Sequence, residues 1–259
     1  MNASYYYSEV CGIIGGLGPN ATSYLFSKII KFQKAKKDQD NIPVVIFNNP
    51  QIPDRTEHLL FGKEDPLPEL IHTARLLKKI GATFLAIPCN TSHAYIDEIE
   101  AIVGLPVIDM IGIAASFIVK TYGDHITIGI LASDGTVKSG LYNSAFSVIA
   151  PESQIIYPDE EGQKHVMEAI YGKTGIKASF ITEENYQILC NQGIKLKEKG
   201  ADVIIAGCTE IPLVFTNHSL PFIVVDPMEV LAREILRKTL LSKKSKDIEL
   251  DSKLNILNI

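Results

Sequence analysis

The sequence predicts an α/β fold with two similar domains, each a parallel sheet flanked by helices, related by a pseudo-twofold axis around a shared cleft. Three observations support this prediction. Short apolar runs alternate with helical patterns along the chain, which is typical of parallel strands joined by crossover helices. Most of the runs are continuously apolar, as expected of strands that are buried on both faces. Finally, the two parts of the chain repeat the same pair of motifs.

The repeat has two members in each part of the chain. Segments 81–91 and 200–210 each begin with a Gly-Ala pair, and the glycine lies eight residues before a cysteine. Segments 12–18 and 129–136 also resemble each other, and their first glycines precede the two cysteines by 77 and 79 residues. The nearly equal spacing predicts two half-molecules of the same design, with the two cysteines at equivalent corners.

The individual elements follow from the same patterns. Asp226 is predicted to cap the last helix and Pro227 to begin it, because aspartate is a good N-cap and proline is favoured at the first helical position. Helices are also predicted at 66–80 and 182–199, where apolar residues recur at helical spacing. The predicted strands are 10–14, 44–47, 84–87, 107–108, 127–131, 154–157, 203–206 and 222–225.

These elements divide the chain into two domains and a tail. The first domain is predicted to comprise 1–114 together with 215–241, and the second to comprise 115–214. The final strand and helix, from Pro221 onward, are expected to return to the first domain. Residues 242–259 form the predicted tail. In folds of this type ligands bind where loops converge at the carboxyl ends of the strands, so we expect the site in the interdomain cleft.

Composition and charge exclude several classes of protein. With 259 residues, 46% hydrophobic and 21% charged, the chain is typical of a folded globular protein. The formal net charge of −5 leaves no basic footprint for nucleic acid. No apolar stretch has the length of a membrane span, and the first residues lack the pattern of a signal peptide. We therefore expect a cytoplasmic protein that binds neither nucleic acid nor membranes.

The two repeated cysteines, Cys89 and Cys208, are candidate acid–base groups. Each follows a predicted strand and precedes residues that commonly cap helices. The N-terminus of a following helix would lower the pKa of the thiol. The alternative is that both are small buried core residues, which is the prediction for Cys11 and Cys190. Two equivalent thiols in one pocket would suit removal of a proton from one face of a carbon and its return to the other.

Three further features lie near the predicted site. The loop 15–20 lacks the G-x-G-x-x-G spacing of a dinucleotide site; it is predicted to be a tight turn whose N–H groups could hold a carboxylate, or a purely structural turn. Arg55 could clamp a carboxylate or form a surface ion pair with Asp54 or Glu57. His93 could tune Cys89 from one helical turn away, or be capped or solvent-facing. The four cysteines and six histidines show no spacing typical of a metal site.

Five strings in this order carry a resemblance to a known family: GIIGGLGPNAT, NNPQIPDRT, AIPCNTSHA, LASDGTVKSGLY and AGCTEIPL. Together they resemble the aspartate/glutamate racemase family, in particular its cofactor-independent aspartate racemases and their broad-specificity relatives. The resemblance covers the chain to about Leu241. CNT with GCTE at this separation is a specific signal, whereas GGLGP alone would not be.

The resemblance implies two α/β domains with the active site between them, commonly in a homodimer, and a reaction that needs neither pyridoxal phosphate nor a metal. It implies that Cys89 and Cys208 act as acid and base on opposite faces of the α-carbon of an amino acid. Glu210 would bind the substrate ammonium or orient Cys208, and Leu17 would shape the pocket where the family often has methionine. The residues that would hold the α-carboxylate and amine are Asn90, Thr91, Thr136 and Thr209.

The resemblance also implies a cationic pair for the substrate side chain. Arg55 matches the family arginine that, together with a lysine, grips a side-chain carboxylate. The lysine motif resembles Ile-Tyr-x-x-(Ile/Val)-Lys-x-Gly, but segment 170–179 has two extra residues and ends in Ser179 instead of glycine. Lys177 fits the motif better than Lys173. This departure leaves the substrate open among aspartate, glutamate and other amino acids.

Other activities remain open at this stage. Maleate isomerases, hydantoin racemases and arylmalonate decarboxylases of the same superfamily also use cysteines at these corners, although a decarboxylase needs only one. A non-catalytic amino-acid binding protein is the alternative from another class. Retention of both thiols and the Arg55–Lys177 pair favour a racemase of acidic amino acids.

Overall fold

Two parallel sheets organise the chain in the computed structural model, which describes residues 7–243. The strands are β1 (Cys11–Gly15), β2 (Val44–Asn48), β3 (Phe84–Ala86), β4 (Thr127–Leu131), β5 (Gln154–Ile156), β6 (Val203–Ala206) and β7 (Val224–Val225). The first sheet has the order β2-β1-β3 and the second the order β5-β4-β6-β7, with parallel pairing throughout. In each sheet the first strand in sequence lies between the second and the third. The two parts of the chain that repeat the sequence motifs therefore also share the same strand order. The α/β fold with two parallel sheets is confirmed.

Helices cover both sheets. They are α1 (Pro19–Gln33), α2 (Arg55–Phe61), α3 (Leu67–Ile80), α4 (Ile96–Val103), α5 (Met110–Tyr122), α6 (Asp134–Ser139), α7 (Leu141–Ile149), α8 (Glu160–Tyr171), α9 (Glu183–Glu198), α10 (Ile211–Phe215) and α11 (Pro227–Leu241). Short 3-10 helices occupy Asp38–Asp40, Thr91–Tyr95 and Ile176–Ala178. Within residues 7–243, no helix combines the length and the apolar character needed to cross a membrane.

Local capping explains where the main helices begin. The Asp226 side chain accepts a hydrogen bond from the N–H of Met228, and Pro227 is the first residue of α11. The Thr182 hydroxyl caps α9 in the same way. Each cap satisfies a backbone donor that the helix leaves free, which stabilises the helix by about 1 kcal/mol. The caps predicted from the sequence for the last helix are thus confirmed.

Burial on both faces explains the uninterrupted apolar strands. Ile13 and Ile14 are adjacent on β1 and fully buried, yet they belong to different core clusters. Ile130 and Leu131 on β4 are divided in the same way. Because successive side chains of a strand point to opposite faces, both faces of each central strand are covered. A fully buried side chain of this size contributes roughly 1.5–3 kcal/mol.

The last strand differs from the sequence prediction. Val224 and Val225 of β7 pair with Ile204 and Ile205 of β6, so the predicted strand 222–225 belongs to the second sheet and its assignment to the first domain was wrong. The physical reason is that the free edge of β6 offers ladder hydrogen bonds to a short apolar segment that lies beside it. Helix α11, in contrast, packs on α1 and α5 and contributes to the core around the first sheet.

The structure also bears on the predictions for residues 107–108 and for the tail. The predicted strand 107–108 is a single bridge between Leu85 and Val107, because the chain turns at once into α5, whose N-cap is Asp109. Of the predicted tail, 242–259, everything beyond Lys243 lies outside the described residues. The remaining domain boundaries stay predictions.

Candidate active site

A small cavity lies where the loops of the two sheets meet. Loops that follow β1, β2, β3, β4 and β6 all contribute to its wall, so it lies at the carboxyl ends of strands from both sheets. Its volume is about 10 Å³, close to the room that one water molecule needs. The lining residues are Leu17, Arg55, Thr56, Cys89, Asn90, Thr91, Ser133, Thr136, Tyr171, Lys177, Gly207, Cys208, Thr209 and Glu210.

All ten residues assigned to the site from the sequence line this cavity. Lys173, the alternative to Lys177, is exposed and does not line it. The remaining cysteines are elsewhere: Cys11 is fully buried in β1, and Cys190 is buried in α9. Sequence reasoning missed four lining residues, although each lies inside a motif that it quoted; they are Thr56, Ser133, Tyr171 and Gly207.

Cys208 is held by an acidic neighbour. Its Sγ donates a hydrogen bond to Oε2 of Glu210 at 3.0 Å, and the Thr209 hydroxyl donates to the same oxygen at 3.3 Å. Burial first, and then the negative charge of Glu210, raise the pKa of the Cys208 thiol well above its usual range. Of the two roles considered for Glu210, its contacts fit orientation of Cys208.

The sequence-based expectation of a lowered pKa at Cys208 was therefore wrong. The segment after Cys208 begins α10 only at Ile211, and this helix has five residues. Such a short helix has a weak dipole, and its N-cap residue is the acidic Glu210. Burial of the thiol and the adjacent carboxylate outweigh the dipole, because desolvation and like charge both disfavour a thiolate.

Glu210 and Lys177 form a buried ion pair. Nζ of Lys177 lies 3.2 Å from Oε1 of Glu210. Burial alone would raise the pKa of Glu210, but the charge of Lys177 and the Cys208 hydrogen bond outweigh it, so the pKa is lowered. Burial alone would lower the pKa of Lys177, but the charge of Glu210 outweighs burial, so the pKa of Lys177 is raised. Both groups are therefore charged near neutral pH.

His93 supports the loop that carries Cys89. It is buried, its Nδ1 lies 2.8 Å from the carbonyl oxygen of Cys89, and its Nε2 accepts the N–H of Met110 at 3.0 Å. Because Nε2 accepts, Nδ1 carries the proton and donates to the carbonyl. Burial lowers the pKa of His93. The ring is thus a neutral bridge to the backbone of Cys89, and not solvent-facing.

Arg55 reaches into the cavity from the start of α2. Its NH2 donates to the Leu17 carbonyl at 2.9 Å and its NH1 to the Pro53 carbonyl at 3.0 Å. Its Nε is buried and has no hydrogen-bond partner among the described residues. Burial would lower the pKa of Arg55, but its electrostatic interactions with the side chains of Cys89 and Asp54 outweigh burial, so the pKa is raised. The surface ion pair considered as an alternative does not occur, because Arg55 is buried.

The loop 15–20 faces the site differently from the prediction. Gly16 has a φ of 97°, and a Cβ there would lie 2.3 Å from the backbone of Asn49, so only glycine fits this turn. The Gly16 N–H donates to the hydroxyl of Thr22. What the loop offers to the cationic side chains Arg55 and Lys177 is the carbonyl oxygen of Leu17, at 2.9 and 3.5 Å.

Hydroxyl and amide groups also line the cavity. Thr91 and Thr136, which follow strands of different sheets, have their hydroxyl oxygens 2.8 Å apart. The Tyr142 hydroxyl donates to Oδ1 of Asn90 at 2.7 Å. Nδ2 of Asn90 is buried without a partner in residues 7–243. Unsatisfied buried donors are rare in folded proteins, so Asn90 Nδ2 and Arg55 Nε point to a ligand acceptor.

Tyr171 joins the two sheets beside the cavity. Its hydroxyl lies 3.1 Å from both Asp54 Oδ2 and Thr56 Oγ1, which belong to the N-cap and the second residue of α2. Its ring lies under the ammonium of Lys177, 5.0 Å from Nζ. A cation over an aromatic face is held electrostatically. Tyr171 therefore fixes Lys177 against the first half of the molecule.

Comparison with known proteins supports the resemblance to the racemase family. The pattern of the Asp/Glu/Hydantoin racemase family matches residues 14–235. The broad specificity amino-acid racemase RacX of Bacillus subtilis (strain 168) is 25% identical over 228 residues, 86% of this chain and 94% of that protein. A glutamate racemase of Enterococcus faecalis is 31% identical over 139 residues, and the match spans 47% of its length.

Solved structures are similar over most of the chain. The aspartate racemase of Picrophilus torridus superposes with a TM-score of 0.80 at 25% identity, covering 97% of this chain and 100% of that one. The glutamate racemase isoform RacE1 of Bacillus anthracis shares the fold, with a TM-score of 0.64 at 17% identity, covering 93% and 86%. Because the family pattern extends over most of the sequence, the chain belongs to the Asp/Glu/Hydantoin racemase family.

Proposed function

We propose that the protein is a cofactor-independent racemase that interconverts the L and D forms of an acidic amino acid, with aspartate as the first candidate and glutamate as the second. The observation that carries the proposal is the placement of Cys89 and Cys208 in the wall of one cavity, each after the corresponding strand of its own sheet. Two such groups, one on each side of a substrate, suit a reaction that takes a proton from one face of a carbon and returns one to the other.

The proton transfers balance without a cofactor. One cysteine, as thiolate, takes the α-proton and becomes a thiol, leaving the bonding electrons on the α-carbon. The other cysteine, as thiol, gives its proton to the opposite face and becomes a thiolate. Donors aimed at the α-carboxylate would stabilise the enolate character that develops between the two steps. Asn90, Thr91, Thr136 and Thr209 are the proposed donors.

The cationic wall supports an acidic substrate. Arg55 and Lys177 both approach the Leu17 carbonyl and both line the cavity. A substrate carboxylate could replace this carbonyl as their shared partner and satisfy Nε of Arg55, which lacks one in the described structure. Charged hydrogen bonds of this type contribute about 1.5–3 kcal/mol each. RacX acts on a broad range and the Picrophilus relative on aspartate, as their names state, so the assay must include other amino acids.

Substrate binding requires the site to open. A cavity of about 10 Å³ cannot hold an amino acid, so we propose that the two sheets separate to admit the substrate and close again around it. Closure of this kind excludes water from the reaction. We also propose a homodimer that needs no pyridoxal phosphate or metal, which rests on the family resemblance, and a cytoplasmic location, which rests on the sequence.

Exchange of the α-proton tests the proposal directly. The protein is incubated in D₂O without added cofactor with L-aspartate, L-glutamate and a panel of other L-amino acids, and the α-proton signal and circular dichroism are followed together. Loss of both signals is expected with acidic substrates. Cys89→Ala and Cys208→Ala should each abolish racemisation, whereas Cys190→Ala, a buried cysteine outside the cavity, should retain it.

The negative outcomes distinguish the alternatives. No exchange with any amino acid contradicts the racemase proposal. Isomerisation of maleate, racemisation of hydantoins, or amino-acid binding without turnover would then identify the maleate isomerase type, the hydantoin racemase type or a binding protein respectively.

A further inference from the structure

Lys177 is carried by a loop, residues 172–180, that lies between α8 and α9. This lysine loop contains the short 3-10 helix Ile176–Ala178, and it includes the two residues that lengthen the segment relative to the lysine motif of the racemase family. Most of its residues are half-buried or exposed, and its apolar anchor is Ile176, which is fully buried. A longer and largely exposed loop loses more conformational freedom when it is ordered, so contacts from neighbouring elements are needed to fix it.

The side chain of Asn185 holds the lysine loop from the first turn of α9. Its Nδ2 donates to the carbonyl of Thr174 at 2.9 Å and to the carbonyl of Phe180 at 2.8 Å. An amide nitrogen carries two protons, so both are used. The two carbonyls lie on either side, in sequence, of the 3-10 helix that carries Lys177. One side chain therefore ties the two ends of the loop together.

Asn185 is buried, with 5% of its surface exposed, whereas the hydrogen bond between Asn20 and Ser179 of the loop is exposed. A hydrogen bond away from water is electrostatically stronger than one in water, so the Asn185 amide is the firmer of the two attachments. Thr174 and Phe180 are themselves exposed, so water can replace the amide as donor to their carbonyls. We therefore expect substitution of Asn185 to loosen the loop and not to unfold the protein.

The position of the lysine loop determines where the Lys177 ammonium lies. Its Nζ lies 3.5 Å from the carbonyl oxygen of Leu17, which also accepts a hydrogen bond from Arg55 at 2.9 Å. Lysine carries its charge at the end of a flexible four-carbon side chain, so its Nζ is fixed relative to Arg55 only if its backbone is fixed. Two cations that share one carboxylate need a defined separation, because a displacement of about 1 Å is costly in a binding site.

We infer that Asn185 is a positioning residue for recognition of the acidic side chain of the substrate. It lies outside the cavity and acts through Lys177, because it holds the loop where the ammonium can share a substrate carboxylate with Arg55. This inference rests on the proposed function, which assigns the side-chain carboxylate to Arg55 and Lys177. The hydrogen bonds between Asn185 and the loop do not depend on that function.

Asn185→Leu is the substitution that tests this role. Leucine branches at the same atom as asparagine but has no donor, so both hydrogen bonds to the loop are lost. The backbone N–H of position 185, which bonds to the hydroxyl of the N-cap residue Thr182 at 3.3 Å, is kept. Gln192→Leu is the matched control, because Gln192 is also a buried amide of α9 and its side-chain nitrogen contacts His165 instead of the loop.

Limited digestion with trypsin tests whether Asn185 fixes the loop, without any amino acid present. Trypsin cleaves after lysine, and the loop offers the exposed Lys173. The full-length protein is digested, and cleavage after Lys173 is followed by peptide mass spectrometry relative to cleavage at all other sites. Asn185→Leu is expected to accelerate this cleavage by about tenfold, because two hydrogen bonds that oppose local opening are lost. Gln192→Leu should leave the relative rate unchanged, and an unchanged rate in Asn185→Leu overturns the inference.

Steady-state racemisation of aspartate tests the role in recognition. A contact to the side-chain carboxylate is remote from the α-carbon and is made in the ground state and the transition state alike, so its loss raises KM more than it lowers kcat. Asn185→Leu is expected to raise the KM for aspartate by about tenfold, the lower end of what loss of a charged hydrogen bond produces, with a smaller change in kcat. Gln192→Leu should keep both values. A lower kcat at unchanged KM in Asn185→Leu would mean that Asn185 only supports the fold, and would overturn the inference.

The two readouts separate failure of this inference from failure of the proposed function. If the natural protein racemises aspartate and Asn185→Leu is cleaved faster at an unchanged KM, the function stands and the role of Asn185 in recognition is overturned. If the natural protein racemises no acidic amino acid, the proposed function is contradicted and that role falls with it. Faster cleavage of Asn185→Leu would in that case still show that Asn185 holds the loop.

Discussion

The side-chain amide of Asn20 donates a hydrogen bond to the hydroxyl of Ser179 at 3.0 Å. Asn20 lies in α1, after β1 of the first sheet, and Ser179 follows the 3-10 helix that carries Lys177. The bond therefore links the two halves of the molecule close to the two segments that supply Leu17 and Lys177 to the cavity. It adds to the contacts of Tyr171 and Lys177 that cross the same boundary.

Ser179 is held in a conformation that glycine adopts more readily. Its φ is 68°, and a non-glycine residue in this left-handed region costs roughly 1–2 kcal/mol. Ser179→Ala keeps the strain and loses the bond to Asn20, whereas Ser179→Gly loses the bond but relieves the strain. We expect the glycine variant to be more stable than the alanine variant by about 1 kcal/mol in urea unfolding. An alanine variant of equal or greater stability would contradict this account.

Tyr142 is expected to orient Asn90. Its hydroxyl donates to Asn90 Oδ1 at 2.7 Å in a fully buried setting, so Tyr142→Phe leaves a buried carbonyl without its donor and costs about 1–3 kcal/mol of stability. Activity should also fall, because the Asn90 amide, a proposed donor to the substrate carboxylate, loses its fixed orientation. Tyr157→Phe removes an exposed hydroxyl that contacts Asn143 and is the control for loss of a phenol. Equal effects of the two substitutions in thermal unfolding and in racemisation would refute the role.

The fold could be predicted from the sequence because its signals are local and repeated. Each signal involves residues that are close together in the sequence. Examples are the continuous apolar runs, the repeated Gly-Ala and cysteine motifs, and the capping pair Asp226–Pro227. The strand at 222–225 was placed in the wrong sheet. It pairs with β6 because the edge of β6 is free in the folded molecule. Local sequence does not contain that information.

The site was predictable as a set of residues but not as a set of interactions. The motifs identified the residues that line the cavity, since loops after parallel strands converge on one edge. They did not predict that Glu210 would raise the pKa of Cys208, or that the carbonyl of Leu17 would face Arg55. Both depend on burial and side-chain direction, which are settled by packing across the two halves.

A buried carboxyl at the start of α11 should impose a pH dependence on stability. Burial raises the pKa of Asp226 from 3.8 to about 6, so the folded state binds the proton more tightly than the unfolded state does. The stability that this contributes is present below pH 4 and is lost as pH rises through 6, an effect of about 3 kcal/mol. Asp226→Asn, which remains a good N-cap, should therefore gain stability relative to the natural chain between pH 4 and 7. Melting temperatures that run parallel across this range would contradict the assignment.

His93 should affect the pH dependence of stability in the opposite direction to Asp226. Burial lowers its pKa below 6.5, so the unfolded state binds a proton more tightly than the folded state does. Its contribution is present above pH 6.5 and is lost as pH falls through the lowered folded-state pKa. His93→Gln, which can still donate to the Cys89 carbonyl, should show a flatter decline in melting temperature below pH 6.5. His125→Gln, at an exposed histidine, is the control and should retain the slope of the natural chain; an unchanged slope in His93→Gln would refute the role.

Lys177 is expected to set the preference for an acidic side chain. Replacing it by glutamine removes one of the two cations that would hold the substrate side-chain carboxylate, and the loss of a charged hydrogen bond of about 1.5–3 kcal/mol corresponds to roughly 10- to 100-fold in kcat/KM. The substitution also leaves Glu210 without its cationic partner, which would impair every substrate alike. The informative quantity is therefore the ratio of kcat/KM for aspartate to that for alanine. This ratio should fall in Lys177→Gln and stay constant in Lys173→Gln, whose side chain is exposed and outside the cavity. A constant ratio in Lys177→Gln would mean that the lysine serves only to charge-balance Glu210, and that the side-chain carboxylate is recognised by Arg55 alone.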